Sequence, residues 1–194
     1  MKNKTLHFPL IAFILFATIS CNTDYYPKPR GFFRIDLPEK EYRPFDTNFP
    51  YTFEYPKYAV FEQNTTNPNE PYWINLAFPQ FKGKLHLSYK KINGNFDDYV
   101  EDTRTMVMKH IPKANAIETK LFEDQLSKVY GMTYTIDGVG TASPYQFYVS
   151  DSVNHFLRGA LYFNVVPNND SLEPVINFLK EDINHLIESL KWND

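Results

Sequence analysis

From Tyr51 the chain alternates. Tyr51, Phe53 and Tyr55 are apolar and Thr52 and Glu54 between them are polar, the period of a half-buried strand. Pro56-Lys57 then turns the chain into a second short run, Tyr58–Glu62. Gln63–Pro71 is polar and rich in Asn and Pro, which predicts a loop. Strands are expected at Tyr72–Phe78 and Lys84–Lys91; in the latter, Leu85, Leu87 and Tyr89 face one way and His86, Ser88 and Lys90 the other. Asn93-Gly94-Asn95 punctuates the chain, and the period changes to that of a helix. Asn95 is placed as its N-cap, with Asp97 and Asp98 in the first turn where the helix dipole favours anions. Phe96, Tyr99, Val100, Thr103, Met106, Val107 and His110 share one stripe, and Ile111-Pro112 stops the helix.

Four further strands are predicted at Ala116–Glu123, Ser127–Asp137, Pro144–Ser150 and His155–Val166. In the last, Leu157, Leu161, Phe163 and Val165 are apolar, and so are Phe156, Ala160 and Tyr162 on the other face. A strand apolar on both faces belongs in the middle of a sheet covered on both sides. A final helix has Ser171 as its cap, Pro174 in its first turn, and a stripe of Leu172, Val175, Ile176, Leu179, Ile183, Leu186, Ile187 and Leu190. Glu173, Lys180, Glu181, Asp182, Glu188 and Lys191 form its wet side. The order predicts an α+β class, with an antiparallel β-sheet sandwiched by helices. That order resembles the PsbP/Mog1 fold.

The first fifty residues follow neither period. Lys2 and Lys4 precede an uncharged run from Phe8 to Ser20, which has the basic start and apolar centre of a secretory signal and is too short to span a bilayer. Cys21, the single cysteine, comes next. The arrangement resembles a bacterial lipoprotein signal, in which Cys21 becomes the first mature residue and carries acyl chains such as palmitate; a buried or reactive free thiol is the plain alternative. Residues 22–50 hold Pro27, Pro29, Pro38, Pro44 and Pro50 with few aliphatics, the composition of an extended arm. At ~3.1 Å per residue such an arm reaches on the order of 90 Å if nothing docks it. The expected organisation is a signal peptide at 1–20, a lipidated Pro-rich arm at 21–50 and a single α+β domain at 51–194.

Composition narrows the chemistry. One thiol allows no internal disulfide, so an exported fold must hold by burial, for which 17 Phe and 14 Tyr supply the area. The formal charge is −3, the lysines are scattered among acids, and no basic block of the nucleic-acid kind occurs. His86, His110, His155 and His185 stand alone, with no i+2 to i+4 partner and no thiol for zinc, so no metal and no cofactor are expected. His86 and His155 read as outward-facing strand residues. Ser150-Asp151-Ser152 with His155 has the residue types of a nucleophile and base, but on a tight turn the plainer reading is turn stabilisation. No G-x-S-x-G and no Gly-rich phosphate loop is present. The pairs Asp97-Asp98 and Glu181-Asp182 diverge on their helices and read as solvated faces. The expectation is a protein without catalysis. Asp151-Ser152-Val153 and Asp170-Ser171-Leu172 resemble a Bacteroidetes O-glycosylation pattern, and Ser152 is the better placed of the two.

The arm carries the family resemblance. Tyr26-Pro27-Lys28-Pro29-Arg30-Gly31-Phe32-Phe33-Arg34-Ile35-Asp36-Leu37-Pro38-Glu39-Lys40-Glu41-Tyr42 resembles the mature N-terminus of the gliding motility lipoprotein GldD family. Pro50–Pro56 and Gly83–Tyr89 extend the similarity into the domain. The resemblance implies a Bacteroidetes cell envelope and a component of gliding motility, tied to type IX secretion, with no assigned reaction. Its partners are then the membrane, through the lipid on Cys21, and other motility or secretion proteins. Asn22-Thr23-Asp24 lacks the acidic run of a surface-export signal, so an outer-membrane anchor facing the periplasm is expected. Arg30, Phe32, Phe33 and Arg34 are the candidate contact residues, for a partner or for the protein's own domain. The alternative is a periplasmic glycan- or small-ligand-binding module, with Tyr72 and Trp73 stacking on sugar or simply packing in the sheet.

Overall fold

The computed structural model describes residues 34–193. Cys21, Arg30, Phe32 and Phe33, like the expected signal peptide, lie outside the described residues. The described elements in chain order are β1 (Tyr42–Pro44), β2 (Tyr51–Thr52), β3 (Glu54–Pro56), β4 (Val60–Gln63), β5 (Ile74–Phe78), β6 (Gly83–Lys91), α1 (Phe96–Met108), β7 (Ala116–Asp124), β8 (Val129–Asp137), β9 (Tyr145–Ser150), β10 (His155–Phe163), α2 (Asn169–Glu188) and β11 (Lys191–Trp192). Single 3-10 turns at Pro79–Phe81 and Ile111–Lys113 punctuate them.

Seven strands form one sheet in the order β4-β5-β6-β10-β9-β8-β7, every neighbouring pair antiparallel. β10, apolar on both faces in the sequence, is the fourth of the seven. On one face its Leu157 and Leu161 join Leu85, Leu87, Phe147 and Val149 beneath Val175, Leu179, Ile183, Leu186 and Ile187 of α2. On the other face Phe156 joins Tyr134, Ile136, Tyr148 and Val107, with Phe96, Tyr99 and Val100 of α1 packed against them. The protein is therefore α+β, an antiparallel sheet between two helices. Two small antiparallel pairs, β1–β3 and β2–β11, flank the large sheet. Among the described residues no helix is long and apolar enough to cross a membrane.

Gly159 shows how tightly the centre is filled. It lies opposite Phe147 in the β9–β10 register, and a Cβ at position 159 would stand 2.1 Å from Phe147 Cε1. Phe147 is wholly buried and has no room to swing away. Gly159→Ala is expected to destabilise the protein by about 1–3 kcal/mol, the usual range for overpacking. The check is a urea titration in which the midpoint falls while the slope is unchanged.

The helix termini depart from the sequence expectation. Asn95 stands at the N-cap of α1, but its Oδ1 accepts from the backbone N–H of Asn93 at 2.9 Å and caps nothing in the helix. α2 begins at Asn169, so Ser171 lies inside the first turn and is no cap. Pro174 then falls beyond that turn, at a position where it has no N–H to give the helix ladder. The start of α2 is instead fixed by Asn169 Nδ2, which donates to the Gly138 carbonyl at 2.9 Å and to Thr141 Oγ1 at 2.6 Å. Met106, assigned to the apolar stripe of α1, is 42% exposed. Tyr72 precedes β5, which starts at Ile74.

Candidate functional site

Asp182 was expected on the wet side of α2 and is 1% exposed. Its carboxylate collects three donors. Lys40 Nζ reaches Oδ1 at 2.9 Å, the Tyr42 hydroxyl reaches the same oxygen at 2.8 Å, and the Tyr58 hydroxyl donates to Oδ2. Lys40 also donates to the Phe178 carbonyl at 2.8 Å and lies 3.9 Å from the centre of that residue's ring. Tyr58 stacks on the same ring. Tyr42 stacks on His185 at 3.7 Å, and His185 Nε2 meets Glu54 Oε2 at 2.7 Å. Burial first, then the bond to Asp182, pushes the Tyr42 and Tyr58 phenols above their ordinary range, so both stay neutral donors. A buried carboxylate must be paired and hydrogen-bonded, and this one is met by the chain's own groups. Its neighbour Glu181 is exposed, as expected.

The consequence is a clamp. Lys40, Tyr42 and Tyr58 come from the segment before and after β1–β3, and Asp182 comes from the helix more than a hundred residues on. The same segment drives Phe45 into the core, where it is 3% exposed and stacks on Phe53 at 4.9 Å. Upstream, Gln80 Nε2 donates to the Asp36 carbonyl at 2.6 Å. Arg34 is the one candidate contact residue among those described. Its side chain is 93% exposed, with Asp36 Oδ1 3.4 Å from Nε. An exposed pair of this kind contributes little, so the guanidinium is presented to solvent.

Tyr72 and Trp73, proposed together as a sugar platform, are not brought together. Tyr72 lies in the turn before β5, and Trp73 leads from that turn into the strand. Tyr72 lines an open cleft of about 600 Å³ with Pro50, Asn69, Asn154 and Asn193. Trp73 donates its indole N–H to the Tyr89 carbonyl at 2.8 Å and lines a different pocket, of about 280 Å³, at the flank of α1.

The histidines separate as well. His155, read as outward-facing, is buried: it shares the inner face of β10 with Leu157, stacks on Trp192 at 5.1 Å, and its Nδ1 lies 2.9 Å from the Tyr89 hydroxyl. His86 Nδ1 meets Asn75 Oδ1 at 2.7 Å, and burial holds its pKa below the ordinary value. His110 Nε2 lies 3.1 Å from Gln146 Nε2, with its pKa lowered by burial and then by the Arg158 charge. Among the described residues no three of His, Cys, Asp and Glu group to hold a metal. Ser150-Asp151-Ser152 is a turn: Asp151 Oδ1 accepts from the backbone N–H of Val153, Asn154 and His155 at 3.0, 2.8 and 2.8 Å. Burial raises that carboxyl, but those three donors outweigh it and hold the pKa low.

Sequence reasoning missed Asp182 and Arg158. Asp182 lies four residues after Phe178 and four before Leu186, both buried, a spacing that places it on the packed face. Arg158 lies in the outward row of β10 between Phe156 and Ala160, a charge in an apolar row.

Comparison with known proteins adds the following. The family model for gliding motility lipoprotein GldD matches residues 22–192. No curated protein sequence matches the chain. Among solved structures, the solution structure of cyanobacterial PsbP from Synechocystis is similar, at a TM-score of 0.48 and 10% identity, covering 83% of this chain and 98% of that one.

Proposed function

The chain belongs to the gliding motility lipoprotein GldD family, and from that membership we propose that it is a non-catalytic scaffold or accessory subunit of the gliding machinery, linked to type IX secretion. In this reading Cys21 carries the acyl chains, the anchor is the outer membrane, and the domain faces the periplasm. One chain binds a bilayer reversibly and two or more hold it firmly. The family match over nearly the whole mature length is the observation that carries the reading.

The clamp on Asp182 supports it by shortening the tether. Residues from Ile35 onward contact the domain, so only the segment from Cys21 to Arg34 is left to span the distance to the membrane. Thirteen Cα steps at ~3.6 Å give a reach of at most about 47 Å. That is half the reach of an undocked arm, and it keeps the domain close to its membrane. Arg30, Phe32, Phe33 and Arg34 fall in this part of the sequence, and in this reading they contact a partner beside the membrane. Changing all four to Ala is expected to abolish gliding while folded protein stays at its normal level. The check is colony spreading together with immunoblotting and with crosslinking in living cells. Normal spreading, with the same crosslinked partners, rules the contact residues out.

A further inference from the structure

The row across the outward face of the sheet runs Trp73, Ser88, Arg158 and Tyr148. Ser88 and Tyr148 flank Arg158 in the registers of β6 and β9. α1 packs over the β8, β9 and β10 side of this face. Where its flank ends, Tyr99, Asp102, Thr103 and Met106 meet Trp73, Ser88, Lys90, Phe156 and Arg158 around a pocket of about 280 Å³. At ~30 Å³ for each water-sized atom, the pocket has room for about nine non-hydrogen atoms.

Three of its walls are aromatic, and the carboxylate among its lining residues, Asp102 of α1, is exposed to solvent. Trp73 is held by its indole bond to Tyr89 and by Lys90 Nζ, 5.1 Å from the ring centre. Tyr99 and Phe156 lie 5.4 Å apart between ring centres. Lys90 is itself paired with Glu70.

Arg158 is different. Its Nη2 donates to Gln146 Oε1, an uncharged amide, at 2.6 Å, and Tyr162 lies beside it. Its Nε is buried and without a hydrogen-bond partner, and among the described residues no carboxylate pairs with it. A half-buried guanidinium whose donors are not matched by an anion is costly to hold. The planar fork of Arg suits a carboxylate, which takes two parallel N–H bonds. Gln146 orients the fork from behind and is in turn held by His110.

We propose that this pocket binds a small ring-shaped carboxylate, its acid group on Arg158 and its ring among Trp73, Tyr99 and Phe156. The ring is aromatic: benzoate has about the nine non-hydrogen atoms that the pocket holds, whereas a sugar acid such as glucuronate has more. This goes beyond the scaffold role and does not depend on it. Failure of the pocket to bind leaves the motility experiment above untouched.

The probes are benzoate and glucuronate, followed by NMR of the two indole N–H signals of the folded protein at millimolar concentration. Trp192 donates to the Lys128 carbonyl at 3.1 Å, does not line this pocket, and serves as the internal control. Benzoate is expected to move the Trp73 signal and leave Trp192 in place; glucuronate, too large for the pocket, is expected to move neither. Benzyl alcohol, the same size without the charge, is expected to bind at least about tenfold more weakly. R158Q is expected to weaken acid binding about tenfold. M106W, at a half-open helix position, is expected to fill the pocket and abolish binding with the fold intact. The proposal is overturned if benzoate leaves Trp73 in place, if benzyl alcohol or glucuronate binds as well as benzoate, or if binding survives M106W. Should R158Q fail to fold, the alcohol comparison and M106W decide the matter.

Discussion

Asp182→Ala is expected to lower the melting temperature by about 6–12 °C. The substitution removes a carboxylate that is 1% exposed, strands the Tyr42 and Tyr58 hydroxyls, and leaves Lys40 with only Glu181, at 3.2 Å, and the Phe178 carbonyl. Breaking a buried ion pair from one side costs about 3–5 kcal/mol. Lys40 keeps 27% of its side chain in solvent, which argues for the lower end, about 3 kcal/mol. In a domain of this size each kcal/mol shifts the melting point by roughly 2–4 °C. Glu181→Ala, one residue away, removes a carboxylate 68% exposed and is expected to change stability by less than about 0.5 kcal/mol. Equal effects at 181 and 182 would remove the clamp. The phenols add a pH signature. Their folded-state pKa values are raised, so their contribution is complete below about pH 10, the pKa of an unfolded tyrosine, and is lost as pH rises above it. Stability of the native protein is therefore expected to fall above that pH, and less steeply in Asp182→Ala, where one cause of the shift is gone.

Truncation has the second large effect. A chain beginning at Arg34 is expected to fold with native stability, and one beginning at Tyr51 is expected not to fold cooperatively. The shorter chain lacks β1, Lys40, Tyr42 and Phe45. Removing the buried Phe45 ring alone costs about 3–5 kcal/mol. Leaving Asp182 with only Tyr58 adds roughly the cost of a broken buried pair, about 3 kcal/mol. Together these approach the whole stability of an ordinary domain, about 5–15 kcal/mol. Near-ultraviolet circular dichroism and a urea titration of the two chains read the difference. A cooperative transition at the native midpoint for the chain beginning at Tyr51 would show that residues 34–50 only lie on the surface.

Both results concern the stretch of sequence hardest to read in isolation. Residues 34–50 have no period, because each buried contact there is made one side chain at a time: Phe45 into the aromatic cluster, Tyr42 and Lys40 onto a helix far along the chain. Periodicity reports only elements that repeat a face. The same limit explains His155, whose inward direction follows from the pairing of β10 and not from its own identity. It explains the pair Tyr72-Trp73 too, which adjacency joined and the turn before β5 separated.

The sequence by itself determined the α+β order, the helix faces, and the central position of β10. These depend on local period and on apolar residues on both faces, and neighbours along the chain carry that information. It also carried the family, through the arm motif and the segments that follow it. Only the tertiary structure decided which charges are buried. Asp182 and Arg158 each sit in a row whose burial is set by a distant partner, the Lys40–Tyr58 segment over α2 and the flank of α1 over the sheet. A charge is tolerated inside only when partners arrive from elsewhere in the fold, so local spacing marks the row but not that the charge in it is buried.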